Sequence, residues 1–147
     1  SRLLKKILFF FTSFLSKKES EKTKINSLKI SDAIILNVMD KLSDFENKQR
    51  FLKPMTLHKL SKKLKTNPKY LSKIINNQYQ KNFSSYINDL RINYVLKELN
   101  TDDSLKKITV KALAKRIGFG NTESFAKSFK KHTGVNPSNY LSSLNHK

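Results

Sequence analysis

The chain has 147 residues, with 30 Lys and Arg against 11 Asp and Glu, a net charge of +19, 37% hydrophobic residues, three Gly, three Pro and no Cys. A chain of this length buries one ordinary core without staples, and the lack of Cys excludes disulfides and thiolate metal sites while pointing to a reducing compartment. Such a charge attracts polyanions, nucleic acid or anionic membrane.

The charge is unevenly placed. Residues 1–30 hold eight bases and two acids, residues 31–52 three and four, and residues 53–147 nineteen and five. A merely lysine-rich composition would spread evenly, so the near-neutral middle block favours a localised basic surface.

In chain order, residues 1–30 form a basic and aromatic extension opening RLLKKILFFFTSFLSKK. Its apolar run from Ile7 to Leu15 is shorter than the roughly 20 residues a membrane-spanning helix needs, and no small-residue cleavage site follows. Phe9, Phe10, Phe11 and Phe14 lie between the pairs Lys5, Lys6 and Lys17, Lys18. That arrangement suits a helix at a membrane surface or a juxtamembrane stub, and equally a helix packed on the main domain or a partner. A first residue of Ser rather than Met points to a trimmed chain, and the polar link SKKESEKTKINS joins the extension to residues 31–147.

Ser31 caps a helix in which Ile34, Ile35, Val38, Leu42 and Phe45 recur at helical spacing, ending near Phe51 before Lys53-Pro54. Thr56 then caps a short helix with Leu57, Leu60 and Leu64. Asn67-Pro68 starts another, giving a first helix-turn-helix over 56–77. On this second helix Leu71, Ile74 and Ile75 face one way while Lys69, Ser72, Lys73 and Asn76 face the other. Lys53 to Asn82 contains eight Lys and no acid. A solvated surface helix normally mixes signs, so this favours a phosphate-facing role.

Residues 83–99 form a linker helix with two apolar stripes, Phe83, Ile87, Leu90, Tyr94 and Ile92, Val95, Leu96, Leu99. It reads as a strut of about 25 Å buried between two neighbours. NTDDS at 100–104 is the turn that ends it.

A second helix-turn-helix follows over 109–134, and it echoes the first. At an offset of 53, Thr56, Leu57, Leu60, Lys62 and Leu64 meet Thr109, Val110, Leu113, Lys115 and Ile117. After one extra turn residue, Leu71, Lys73 and Ile75 meet Phe125, Lys127 and Phe129. Ala112 and Ala114 allow close helix crossing, Gly118 takes a left-handed conformation, and Asn121 caps the next helix. That helix points Phe125 and Phe129 inward and Glu123, Ala126, Lys127 and Lys130 outward. Gly134 closes it, and Asn136-Pro137 opens a terminal helix over 137–144.

From about Ile34 to Leu144 these residues resemble the DNA-binding domain of the AraC/XylS family of bacterial transcription regulators. The resemblance rests on YLSKIIN at 70–76, YINDLRI at 86–92, IGF at 117–119 and FAKSFKKHTGVNPSNY at 125–140, in the family's order and spacing. It implies an all-α domain of about seven helices, two helix-turn-helix units joined by a central linker helix. It also implies sequence-specific binding of double-stranded DNA, with the second helix of each unit in successive major grooves about 34 Å apart.

On this resemblance the base-reading positions are Lys69, Ser72, Lys73 and Asn76 in the first unit and Glu123, Ala126 and Lys127 in the second. Many members carry Arg or Trp at such places, so the operator does not follow from relatives. Lys62, Lys63, Lys115, Arg116, Lys130 and Lys131 are placed for phosphates. The implied partners are double-stranded DNA and RNA polymerase. The implied location is the cytoplasm, tethered to the inner membrane if the domain ends a larger membrane-anchored sensor chain, as the basic-aromatic extension suggests. No sensor domain and no cofactor are expected within the 147 residues.

Other classes find less support. His58, His132 and His146 are scattered, no Gly-rich phosphate loop occurs, and Asp102-Asp103 reads as a helix stop rather than a catalytic pair, so no enzyme is expected. A membrane-surface binder draws only on residues 1–18. The duplicated basic faces count against a protein–protein adaptor.

Overall fold

The computed structural model describes residues 2–20 and 30–145, and the described residues fold as helices and turns without strands. Residues 21–29, which include 21–27 of the expected polar link, and His146 lie outside the described residues. Helix α1 (Arg2–Ser20) belongs to the extension. The domain contains the seven expected helices: α2 (Asp32–Asn47), α3 (Leu57–Lys63), α4 (Pro68–Tyr79), α5 (Phe83–Thr101), α6 (Val110–Arg116), α7 (Thr122–Thr133) and α8 (Pro137–Asn145).

Local chemistry sets the starts of these helices. The side chains of Ser31, Thr56, Asn67, Asn82, Thr109 and Asn121 each accept a hydrogen bond from the backbone N–H three residues on. Each satisfies a donor that the first turn leaves without a helical partner, an effect worth about 1 kcal/mol per cap.

Burial divides the molecule into two cores along α5. The first gathers Leu42 and Phe45 of α2, Leu60 of α3 and Leu71, Ile74 and Ile75 of α4 around Tyr86 and Ile87. The second gathers Leu113 and Ile117, Phe125 and Phe129 of α7 and Leu141 of α8 around Ile92, Val95 and Leu99. Leu52 and Tyr94 pack against both. The strut expected from the two apolar stripes is therefore present, about 28 Å long for its 19 residues at 1.5 Å per residue.

Three details differ from expectation. Helix α2 stops at Asn47 rather than near Phe51, because Gln49 turns left-handed (φ 55°) and residues Arg50–Leu52 form a 3-10 turn that buries Phe51 edge-on against Phe45 and Tyr94. The link after α5 is a 3-10 turn over Asp103–Lys107 that buries Leu105, begun by Asp102 accepting from the backbone and hydroxyl of Ser104. Those bonds hold the Asp102 carboxyl below its ordinary range. Of the two alanines expected at a helix crossing, Ala114 is buried and Ala112 is exposed.

The two halves are tied by Arg91 on α5, only 6% exposed. Its Nε donates to the Phe51 carbonyl at 2.7 Å and one terminal nitrogen to the Lys53 carbonyl at 3.0 Å, while the guanidinium lies 5.2 Å from the centre of the Phe119 ring. Burial lowers its pKa to about 10, so the cation persists at neutral pH. A single side chain on the strut thus grips the chain entering the first helix-turn-helix and supports the turn of the second.

Helix α1 packs on α2. Phe10 enters the first core at 2% exposure, and the Lys6 ammonium pairs with Glu46. Beneath this contact Tyr79 and Tyr86 stack with ring centres 4.6 Å apart. Their hydroxyls lie near each other and Glu46 but are buried without a hydrogen-bond partner. Burial, with the charge of Glu46 adding to it, raises both phenol pKa values.

Candidate nucleic-acid interface

The repeat read in the sequence has a backbone counterpart. Helices α3 and α6 each have seven residues, α4 and α7 each have twelve, and Thr then Asn cap the pair in both units. The turns match as well. In the first, Lys65 N–H donates to the Lys62 carbonyl and Thr66 N–H to the Ser61 carbonyl; in the second, Gly118 donates to Lys115 and Phe119 to Ala114. Each turn passes through one left-handed residue, Lys65 at φ 55° and Gly118 at φ 96°.

Glycine is required at the second position and merely preferable at the first. A Cβ on Gly118 would stand 2.6 Å from the Leu52 carbonyl oxygen, so the turn of the second unit presses on the same 50–53 segment that Arg91 grips. The first unit has no glycine there, and its Lys65 accepts a backbone conformation costing roughly 1–2 kcal/mol for a residue with a side chain. The Lys41 ammonium reinforces that turn by donating to the Leu64 carbonyl at 2.9 Å.

With the inner faces of α4 and α7 committed to the cores, their outer faces are fixed by helical geometry. Lys69 and Asn76 are exposed and Ser72 and Lys73 half-buried on α4; Glu123 and Lys127 are exposed and Ala126 half-buried on α7. On α4 the Asn76 amide lies 3.5 Å from the Ser72 hydroxyl, so the two polar ends are neighbours one turn apart. Lys62, Lys63, Lys115, Arg116, Lys130 and Lys131 are all exposed. Lys62, Lys63, Lys115 and Arg116 lie in the last turns of α3 and α6, and Lys130 and Lys131 in the last turn of α7. None of these cations shares an ion pair with a described acid. Exposed cations without a salt bridge to a described acid thus stand at the ends of α3, α6 and α7.

Outside these rows, Lys81 pairs with Asp89 at 2.6 Å, and His132 Nδ1 lies 4.0 Å from the other oxygen of the same carboxylate. Sequence reasoning missed this bridge, as it missed Arg91. The Arg91 contacts and the His132 approach join residues about 40 apart, and no periodicity marks them or the Lys81 pair. Among the described residues no cluster of His, Cys, Asp and Glu could hold a metal.

Against known proteins, the model of a family described as "Helix-turn-helix domain" matches residues 60–143, more than half the chain, from within α3 into α8. The chain belongs to the AraC-type helix-turn-helix family. Members of this family are the DNA-binding domains of transcription regulators, not an enzyme class.

The AraC-type chain is 30% identical over 110 residues to the uncharacterised HTH-type transcriptional regulator YtdP of Bacillus subtilis, covering 75% of this chain and 14% of that protein. It is 33% identical over 75 residues to the uncharacterised transcriptional regulatory protein YesN of the same organism, covering 50% and 20%. The chain thus spans a fifth or less of either relative. Among solved structures it is similar to ToxT from Vibrio cholerae, at a TM-score of 0.56 and 30% identity over 92% of this chain and 48% of that one. It is also similar to a Listeria innocua protein of unknown function, at a TM-score of 0.60 and 28% identity over 71% and 94%. The C-terminal domain of AraT, a response regulator from Geobacillus stearothermophilus, shares the fold at a TM-score of 0.59 and 22% identity over 79% of this chain and 88% of that one.

Proposed function

We propose that residues 31–147 bind double-stranded DNA sequence-specifically, as the output domain of a bacterial transcription regulator, by placing α4 and α7 in successive major grooves. The observation that carries this reading is the pairing of two matched helix-turn-helix units on one strut, each with exposed polar positions on its second helix and exposed cations at its helix ends. A single unit of this kind usually needs a dimer to occupy two half-sites. Here one chain carries both readers.

Within the proposal, Lys69, Ser72, Lys73 and Asn76, with Glu123, Ala126 and Lys127, read base edges. Lysine donates to guanine O6 or N7, Glu123 accepts from cytosine N4, Asn76 suits adenine, and the Ala126 methyl meets that of thymine, each good contact contributing about 1–3 kcal/mol. Lys62, Lys63, Lys115, Arg116, Lys130 and Lys131 hold phosphates, which fix register without specifying sequence. RNA polymerase is the protein partner for a regulator bound in this manner, in the cytoplasm.

Selecting bound duplexes from a random pool and titrating the chain against them across a salt series tests the reading. Neutralising about five phosphates gives a slope near −4.5 in log affinity against log salt. Lys127→Ala should cost the selected site about 1–3 kcal/mol and random DNA much less, whereas Lys63→Ala weakens both alike. Equal losses for Lys127→Ala on both would refute the assignment of roles, and a flat salt response would refute DNA binding through this surface.

A further inference from the structure

Helix α1 has two apolar faces, and the domain uses only one. Phe10 fills the first core and Lys6 pairs with Glu46, which fixes the rotation of the helix on α2. About a third of a turn away, Leu4, Leu8 and Phe11 follow one another at spacings of four and three residues and so share a face. They are 59%, 60% and 42% exposed. Among the described residues six large hydrophobic side chains stand exposed, and four of them, these three and Phe9 at 65%, lie within eight residues of α1. Singly exposed apolar residues need no explanation, but a concentrated patch marks a contact surface.

The charges on the same helix select the occupant. Its sequence carries Arg2, Lys5, Lys6, Lys17 and Lys18 against one acid, Glu19. Docking a second copy through this face would set two such helices side by side, in a chain of net charge +19, and like charges at that range oppose the contact. Lys5, itself exposed, stands between the Leu8 side and the Phe9 side of the helix, so the apolar surface is broad and interrupted by charge rather than a narrow seam suited to a protein groove. A plane of hydrocarbon bounded by negative headgroups accommodates both features at once. No described helix is long and apolar enough to cross a membrane.

We propose that α1 lies in the interface of an anionic lipid bilayer, with Leu4, Leu8 and Phe11 at the acyl boundary and Arg2 and Lys5 among the headgroups, while the domain remains outside the lipid. The surface shares no residue with the two reading faces, so lipid and DNA can be held together.

The test uses the whole chain with vesicles of phosphatidylcholine containing about one-third phosphatidylglycerol, in about 0.15 M salt. The chain should sediment with these vesicles, bind pure phosphatidylcholine far more weakly, and carry labelled duplex DNA down with it. The triple variant Leu4→Ser, Leu8→Ser, Phe11→Ser should lose vesicle affinity at least about tenfold. Leu4 and Leu8 are exposed and Phe11 touches the core through the edge of Phe10, so the variant should stay folded with wild-type duplex affinity and only a slightly lower unfolding midpoint. Lys63→Ala combined with Lys130→Ala should weaken duplex binding and leave the stripe-dependent vesicle binding in place, which separates failure of this inference from failure of the DNA reading. A triple variant that sediments like wild type would overturn the proposal, as would a wild-type chain that forms lipid-independent dimers which the triple variant abolishes.

Discussion

Replacing Arg91 by Ala should destabilise both halves of the domain, because its fork closes on two backbone carbonyls that no other described side chain reaches. Nε–Phe51 O at 2.7 Å and the terminal nitrogen to Lys53 O at 3.0 Å are charge-assisted bonds, each worth about 1.5–3 kcal/mol gross. The third contact, to Asn88 Oδ1 at 3.4 Å, adds little. Against this stands the desolvation that lowers the guanidinium pKa to about 10, so the net loss should be about 3 kcal/mol including the lost contact with Phe119. Urea unfolding followed by helical circular dichroism reads the change. With a slope of about 2 kcal/mol per molar, the midpoint should fall by about 1.5 M. Arg91→Lys should fall about half as far, since one ammonium cannot span both carbonyls as a planar fork does. An Arg91→Ala midpoint within about 0.3 M of wild type would refute the view that this residue joins the two units.

The two left-handed turn residues should respond in opposite directions. Gly118→Ala should cost at least about 2 kcal/mol, from its φ of 96° and the 2.6 Å approach to Leu52 O, while Lys65→Gly should gain about 0.5 kcal/mol, both read from unfolding midpoints. Tyr86→Phe removes a buried hydroxyl that has no partner and keeps the ring on Tyr79, so stability should hold or rise by up to about 1 kcal/mol. A loss of more than that would show that the hydroxyl is bonded in solution.

The elements and their caps were legible because they are local. Ser31, Thr56, Asn67, Thr109 and Asn121 stand directly before apolar residues at helical spacing, and each caps in the structure. The two stripes of α5 foretold two cores because only a helix between two neighbours needs both faces apolar. What stayed hidden was the joinery. Arg91 sits in YINDLRI like any surface arginine until the 50–53 segment folds over it. Gln49 gives no sign that α2 will break there, since the break serves the burial of Phe51 against Tyr94, 43 positions along the chain. Lys65 was invisible as a helix-ending residue because glycine is the usual signal and the first unit lacks it. The outward positions of α4 and α7 followed from the inward ones, with Ser72, Lys73 and Ala126 half-buried, while the choice of base-reading residues rested on the family resemblance.

Charge on α5 also meets the ends of α4 and α7. Both α4 and α7 belong to strongly basic units, and positive charges facing each other across the strut would weaken the compact arrangement. Asp89 lies on α5 where it pairs with Lys81, just beyond the end of α4, and approaches His132 in the last turn of α7. The pair with Lys81 is partly exposed, so its direct worth is below about 1 kcal/mol and Asp89→Asn should leave the unfolding midpoint nearly unchanged. Its effect should fall on DNA instead. Losing the carboxylate frees Lys81 for phosphate, which should steepen the salt dependence of nonspecific binding by up to about 0.9 in log–log slope and raise random-sequence affinity more than affinity for a selected site. The ratio of specific to nonspecific binding would then fall in a protein as stable as the wild type. If Asp89→Asn leaves both the slope and that ratio unchanged, Lys81 does not reach the duplex, and the carboxylate serves only to hold the end of α4 against the strut.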